Sequence, residues 1–134
     1  MSRADRLWAF LEPFQGKPIV YDSADGDDCT ALCARWVEHE AGFSVPMEPY
    51  HSRMEAEALI ERHGLVALWD AALADLPVFE VETPSLGDIG LIERTPGVHF
   101  GVIFAHGGYS FWRTGEGIRW FSPRPSMIQR VWSF

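Results

Sequence analysis

The period of the apolar residues changes once along this chain, at Pro77, and that change limits the fold more than any other feature. Before it, apolar side chains recur at helical spacing; after it, short β-branched and aromatic runs are broken by Gly and Pro. Helices followed by strands, without βαβ alternation, predict an α+β domain with N-terminal helices packed on a C-terminal antiparallel sheet. Leu7, Phe10, Leu11 and Phe14 set a helix from near Ser2 to about Phe14, closed by Gly16 and Pro18. A second helix is expected from Cys29 to about Ala41, with Asp28 at its N-cap, Leu32, Cys33, Trp36 and Val37 on one stripe, and Gly42 as the stop. Ser52 and Glu55 have capping-box spacing before a third helix to about Arg62, and Gly64 separates it from a fourth over 65–74. Strands are expected at 78–82, 88–93, 99–105, 109–113, 118–122 and 128–133, with Gly107-Gly108 as a hairpin turn.

A chain of 134 residues, 47% of them hydrophobic, can bury one core without staples, so residues 1–134 are read as one domain. A formal charge of -8 repels phosphate backbones and anionic headgroups, which argues against nucleic-acid partners. No apolar run approaches the length that spans a bilayer, so membrane insertion is not expected. Leu7-Trp8-Ala9-Phe10-Leu11 runs straight into Glu12 and Pro13, so it does not read as a signal peptide, and the expected location on synthesis is the cytoplasm. Cys29 and Cys33, one helical turn apart, point their Cβ vectors too far apart for an unstrained disulfide. Neither Cys nor His spacing resembles a zinc site, and no Gly-rich phosphate loop occurs, so no cofactor is expected.

Chemistry concentrates at two places. Asp28-Cys29-Thr30 sets a thiol at the opening turn of a helix, where unpaired N–H groups and the dipole favour an anion and lower a cysteine's pKa. The competing reading makes Cys29 a small core residue on the Leu32, Cys33 and Trp36 stripe, with the neighbouring aspartates opposing ionisation. Cys33, one turn deeper, reads as core. His99 opens the strand His99-Phe100-Gly101-Val102, where Gly101 leaves its face uncrowded for a general base; the alternative is a strand-end histidine held by a carbonyl. A two-residue loop at Gly107-Gly108 would pair His99 with Glu116 and Gly101 with Thr114, making Glu116, or else Thr114, the group that orients the imidazole. A one-residue slip would invert every face, leaving Glu116 as a solvated turn residue.

The order of these parts resembles the NlpC-type cell-wall cysteine peptidases, which have a compact papain-like fold. The matching residues are Tyr21, Asp28-Cys29, Gly87-Asp88-Ile89 and His99-Phe100-Gly101-Val102. Almost the whole chain is also similar to a family of small phage and prophage tail-region proteins, through Gly16-Lys17-Pro18, Trp36, Tyr50, Gly64-Leu65 and Arg130-Val131-Trp132. The resemblance implies hydrolysis of a γ-D-glutamyl or similar amide bond in peptidoglycan stem peptides. Cys29 would be the nucleophile, His99 the base, and the Cys29 N–H the oxyanion donor. Where the peptidases carry Ser-Gly after the cysteine, this chain has Thr30-Ala31, and their polar third residue has no unambiguous counterpart. The alternatives are a non-catalytic structural or binding component of a phage tail, or an amidase toxin delivered between cells, using the same fold; the resemblance also implies other phage tail proteins as partners and association with the virion.

Overall fold

The computed structural model describes residues 1–134 and is α+β, with four α-helices against one antiparallel sheet. The helices are α1 (Arg3–Leu11), α2 (Cys29–Ala41), α3 (Arg53–His63) and α4 (Leu65–Leu73). The strands are β1 (Phe79–Glu80), β2 (Ile89–Thr95), β3 (Val98–Phe104), β4 (Ser110–Thr114), β5 (Gly117–Phe121) and β6 (Ile128–Ser133), in the sheet order β1-β6-β2-β3-β4-β5.

Local signals account for most boundaries. Ser2 and Asp5 close a reciprocal capping box on α1, which gives way to a 3-10 turn over Glu12–Phe14 because Pro13 cannot continue the α-helical ladder. Ser52 caps α3 through the Glu55 N–H, and α2 ends on Gly42 at φ 82°, a left-handed position that glycine fills without strain. The strand expected over 78–82 shortens to two paired residues, Phe79 and Glu80.

One face of the sheet presents Ile89 and Leu91 of β2 and Ile103 of β3 to α1, α2 and α4, and these form the main core with Leu7, Leu32, Trp36 and Trp69. The opposite face buries Ile92, Val102, Phe104 and Val131 under partly buried Phe100, Trp112 and Phe121. Trp36 ties the two layers together: its ring is fully buried and its Nε1–H donates to the Gly87 carbonyl at 2.8 Å. That carbonyl also accepts from Arg3 at 3.3 Å, so Trp36→Phe does not orphan it. The expected loss is about 1–2 kcal/mol in urea unfolding, the low end for a broken buried hydrogen bond plus a small void.

The β3–β4 hairpin departs from its expected register. Ala105 N–H donates to the Tyr109 carbonyl at 2.7 Å, and the loop is the three-residue turn His106–Gly108 rather than Gly107-Gly108 alone. Ile103 therefore stands opposite Phe111 and Phe104 opposite Ser110, one residue away from the two-residue-loop pairing. The paired β3–β4 residues are these two, and β4 continues along β5 instead.

Candidate active site

The segment before α2 is held by its own polar groups. Val20 N–H donates to the Asp27 carboxylate at 2.8 Å, Asp27 N–H returns to the Val20 carbonyl at 2.9 Å, and Asp22 accepts from the Ala24 and Asp25 N–H groups at 2.8 and 3.0 Å. Gly26 permits the turn, since a Cβ there would lie 2.4 Å from Asp22 N and from the Val20 carbonyl. Arg113 of β4, its side chain fully buried, reaches this segment from the sheet. It donates to the carbonyls of Lys17 and Pro18 at 3.0 and 3.1 Å and faces Asp27 at 3.4 Å. The result is a fixed entry for Asp28 and Cys29 at the start of α2.

Cys29 is half-buried, and its Sγ accepts from the Gly101 N–H of β3 at 3.5 Å. Glycine eases this approach, because a Cβ on Gly101 would lie a tight 3.2 Å from both the Cys29 carbonyl oxygen and the Cys33 Sγ. Cys33 is buried and donates to the Val102 carbonyl at 3.6 Å, as its core reading expects. His99 lies two residues before Gly101 on the same face of β3, one pleat repeat or about 7 Å along the strand. Both Cys29 and His99 line one half-open cavity of about 500 Å³, bounded by α3, α4, the 47–50 segment, Ile19 and Tyr21, Trp112 and Arg113 of β4, and the starts of β3 and α2.

The imidazole is oriented by a residue that the sequence reading did not select. Glu93 of β2 is the cross-strand partner of His99, and its carboxylate meets Nε2 at 3.0 Å. That contact leaves Nδ1 as the ring nitrogen free to exchange a proton. Glu116 is not brought to His99. It occupies the β4–β5 turn with its side chain 84% exposed and pairs with Arg119 at 3.2 Å. Thr114 donates instead to the Gly117 carbonyl at 3.2 Å. The cause is the one-residue hairpin slip together with the early end of the β3–β4 ladder.

The electrostatics differ from those expected at a bare helix N-terminus. Burial pushes the Cys29 thiol above its ordinary value; the Gly101 N–H opposes the rise, and the adjacent Asp28 carboxylate adds to it. Asp28 is itself pushed up by burial, against the Tyr50 hydroxyl that donates to it at 2.5 Å. Burial also raises Tyr21 and drives Tyr50 far up, so both phenols on the cavity wall stay protonated hydrogen-bond donors at neutral pH. Desolvation thus dominates at the thiol, and the like charge of Asp28 adds to it. A pH titration of Cys29 alkylation in a Cys33→Ala background should give a midpoint above the free-thiol value of about 8.5. Asp28→Asn should move it down, because a negative charge beside the thiolate is removed.

No group of three or more His, Cys, Asp or Glu side chains is placed to hold a metal ion, and no helix is long and apolar enough to cross a membrane.

Three solved chains match this fold. Among them is the crystal structure of the NlpC/p60 domain of the peptidoglycan hydrolase SagA, with a TM-score of 0.58 at 16% identity over all of both chains. At that identity the likeness is one of fold. A search of curated proteins finds no match. Residues 2–134 match the family described as "Domain of unknown function (DUF6950)", and the chain belongs to it.

Proposed function

We propose that this chain is a cysteine hydrolase that cleaves an amide bond in peptidoglycan stem peptides. The observation that carries the reading is the arrangement in one cavity of Cys29 at a helix N-terminus and His99, with Glu93 holding the far nitrogen of the imidazole. Because its surroundings favour the neutral thiol, Cys29 does not rest as a preformed ion pair. His99 Nδ1 takes the proton as Sγ attacks the carbonyl carbon. The oxyanion that forms is met by the Cys29 backbone N–H, one of the unpaired donors at the start of α2. Collapse breaks the C–N bond, and the imidazolium returns its proton to the leaving amine. Water then hydrolyses the thioester, with His99 as base, and regenerates the thiol.

The peptidoglycan substrate is supported by the NlpC-type motif residues and by the fold shared with the SagA domain. We place the chain in phage or prophage tails on the wider resemblance through Gly16-Lys17-Pro18, Tyr50 and Arg130-Val131-Trp132. Its detection in purified particles is the expected result, and absence from them contradicts that placement. The raised thiol pKa favours a second reading, a tail component that binds peptidoglycan without cleaving it. Incubation of wild type and Cys29→Ala with purified peptidoglycan, followed by mass analysis of released fragments, separates the two. Hydrolysis predicts fragments with wild type and none with Cys29→Ala; no release from either supports binding alone.

A further inference from the structure

The sheet leaves one strand edge open beside Cys29. Backbone N–H and C=O groups along a strand point in turn to one neighbour and then to the other. Phe104 faces β2: its N–H donates to the Asp88 carbonyl and its own carbonyl accepts from the Gly87 N–H, both at 2.8 Å. Val102 and Phe100 share that direction, whereas His99, Gly101 and Ile103 face β4, as Ala105 does through its bond to the Tyr109 carbonyl. The alternation makes Glu93 and His99 a cross-strand pair without ladder bonds between them, the kind whose side chains stand closest, in keeping with their 3.0 Å contact. β4 pairs with Ile103 and Phe104 and then leaves β3. At Gly101 the Cys29 Sγ stands where a strand carbonyl would, and accepts the N–H at 3.5 Å. At His99 no strand follows on that side. Its N–H and C=O turn toward the cavity, which β3 lines with His99 and Phe100 and β4 with Trp112 and Arg113.

An unpaired strand edge recognises main chain. In an antiparallel hydrogen-bonded pair, one residue gives its N–H and C=O to both groups of a single partner residue. The partner must therefore carry its N–H and its chain carbonyl on one Cα, which an α-linked residue does. A γ-linked glutamyl residue sets two further carbons between them and cannot close that ring of bonds. Direction then fixes position. A chain running against β3 brings the residue two places earlier level with Gly101, one pleat repeat or about 7 Å away, where Sγ stands. The residue paired with His99 thus falls in the amine half of the substrate, and the γ-linked residue is left to face the thiol.

We propose that the backbone of His99 docks the leaving half of the stem peptide: an α-linked residue, two places after the one whose carbonyl Sγ attacks, pairs with it in antiparallel register. For the place of that residue relative to the cut, the inference rests on Cys29 as nucleophile; for the pairing itself, it rests on the strand edge alone. His99 then has two separate tasks, its ring moving the proton and its main chain setting the substrate's register.

The test uses the peptide L-Ala-γ-D-Glu-L-Lys-D-Ala-amide and two analogues in which one amide is replaced by an ester, removing a single N–H donor while keeping the chain's shape. One analogue carries the ester between Lys and D-Ala, in the leaving half, and the other between Ala and D-Glu, in the acyl half. Cleavage is followed with wild type, and affinity for Cys29→Ala by calorimetry. The leaving-half ester should raise KM and weaken binding roughly threefold to tenfold, the worth of one hydrogen bond, and the acyl-half ester should change neither. His99→Ala, which keeps the backbone and loses the ring, should show the same binding penalty with no turnover. Cleavage of all three peptides with equal KM overturns the docking edge and leaves the hydrolase reading standing, as does a larger penalty from the acyl-half ester. A leaving-half penalty in binding to Cys29→Ala, with no cleavage by wild type, supports the edge and contradicts the hydrolase. Neither binding nor cleavage contradicts both.

Discussion

If the proposed hydrolysis holds, Glu93→Ala is expected to lower kcat on a soluble stem-peptide substrate by roughly 10²- to 10⁴-fold and to leave KM nearly unchanged, the range set by losing a correctly oriented general base. Glu93 touches Nε2 of His99 and not the thiol, so its removal frees the ring to turn and to hold its proton on the wrong nitrogen. Stability should barely respond. The His99 and Glu93 side chains are 21% and 35% exposed, and a pair that open to water contributes about 0–1 kcal/mol. Glu93→Gln, which keeps an acceptor oxygen in place, should recover part of the rate. Glu116→Gln should change neither parameter, because that carboxylate lies out in the β4–β5 turn. Equal losses from Glu93→Ala and Glu116→Gln, or a Glu93 effect confined to unfolding, would contradict the assignment.

Arg113→Met is expected to cost about 3–5 kcal/mol of folding stability, the usual consequence of removing one partner from a buried charge pair. The guanidinium is fully buried and joins the Lys17, Pro18, Thr114 and Gly117 carbonyls, so its loss removes the cation facing Asp27 and a donor from each of those oxygens, although Gly117 keeps the Thr114 hydroxyl and Asp27 the Val20 N–H. With a urea m-value of about 1–3 kcal/mol/M for a small domain, the midpoint should fall by at least about 1 M. Part of the effect should reach the reactive position. Asp27 is two residues before Cys29, so a loosened Arg113 contact should also raise the alkylation rate of Cys29 at fixed pH by increasing its exposure. A midpoint within experimental error of wild type would show that the carbonyl cluster is satisfied without the arginine.

The two halves of the candidate site were unequally legible in the sequence. Cys29 and His99 each stood out locally, one by its place at a helix start and one by its strand with glycine two residues on. Glu93 did not. The Pro96-Gly97 dipeptide marks the β2–β3 turn, with Gly97 at φ 79° and Thr95 opposite Val98. Counting back evenly from that pair would set Arg94, not Glu93, against His99. An irregularity between Glu93 and Thr95 shifts the ladder by one and brings the carboxylate onto the histidine's face. A bulge of this kind depends on how both strands pack, and periodicity carries no trace of it. The same limit explains Glu116, whose candidacy rested on a hairpin loop one residue shorter than the one formed. The helices and most strands were legible because caps, glycine stops and turn residues are local, whereas register is set by tertiary contacts.

The thiol's environment was also hidden. Position at a helix N-terminus is visible in a sequence, but the burial that opposes ionisation follows from how closely α2 meets β3 at Gly101.

The most direct measurement is mass spectrometry of the protein quenched with acid during turnover of an amide substrate, with the modified peptide sequenced. An acyl group on Cys29 that disappears on further incubation, and does not accumulate in Cys29→Ala, is the predicted result. Fragments released with no adduct on Cys29, or an adduct on Cys33 instead, would contradict the assignment of Cys29 as nucleophile.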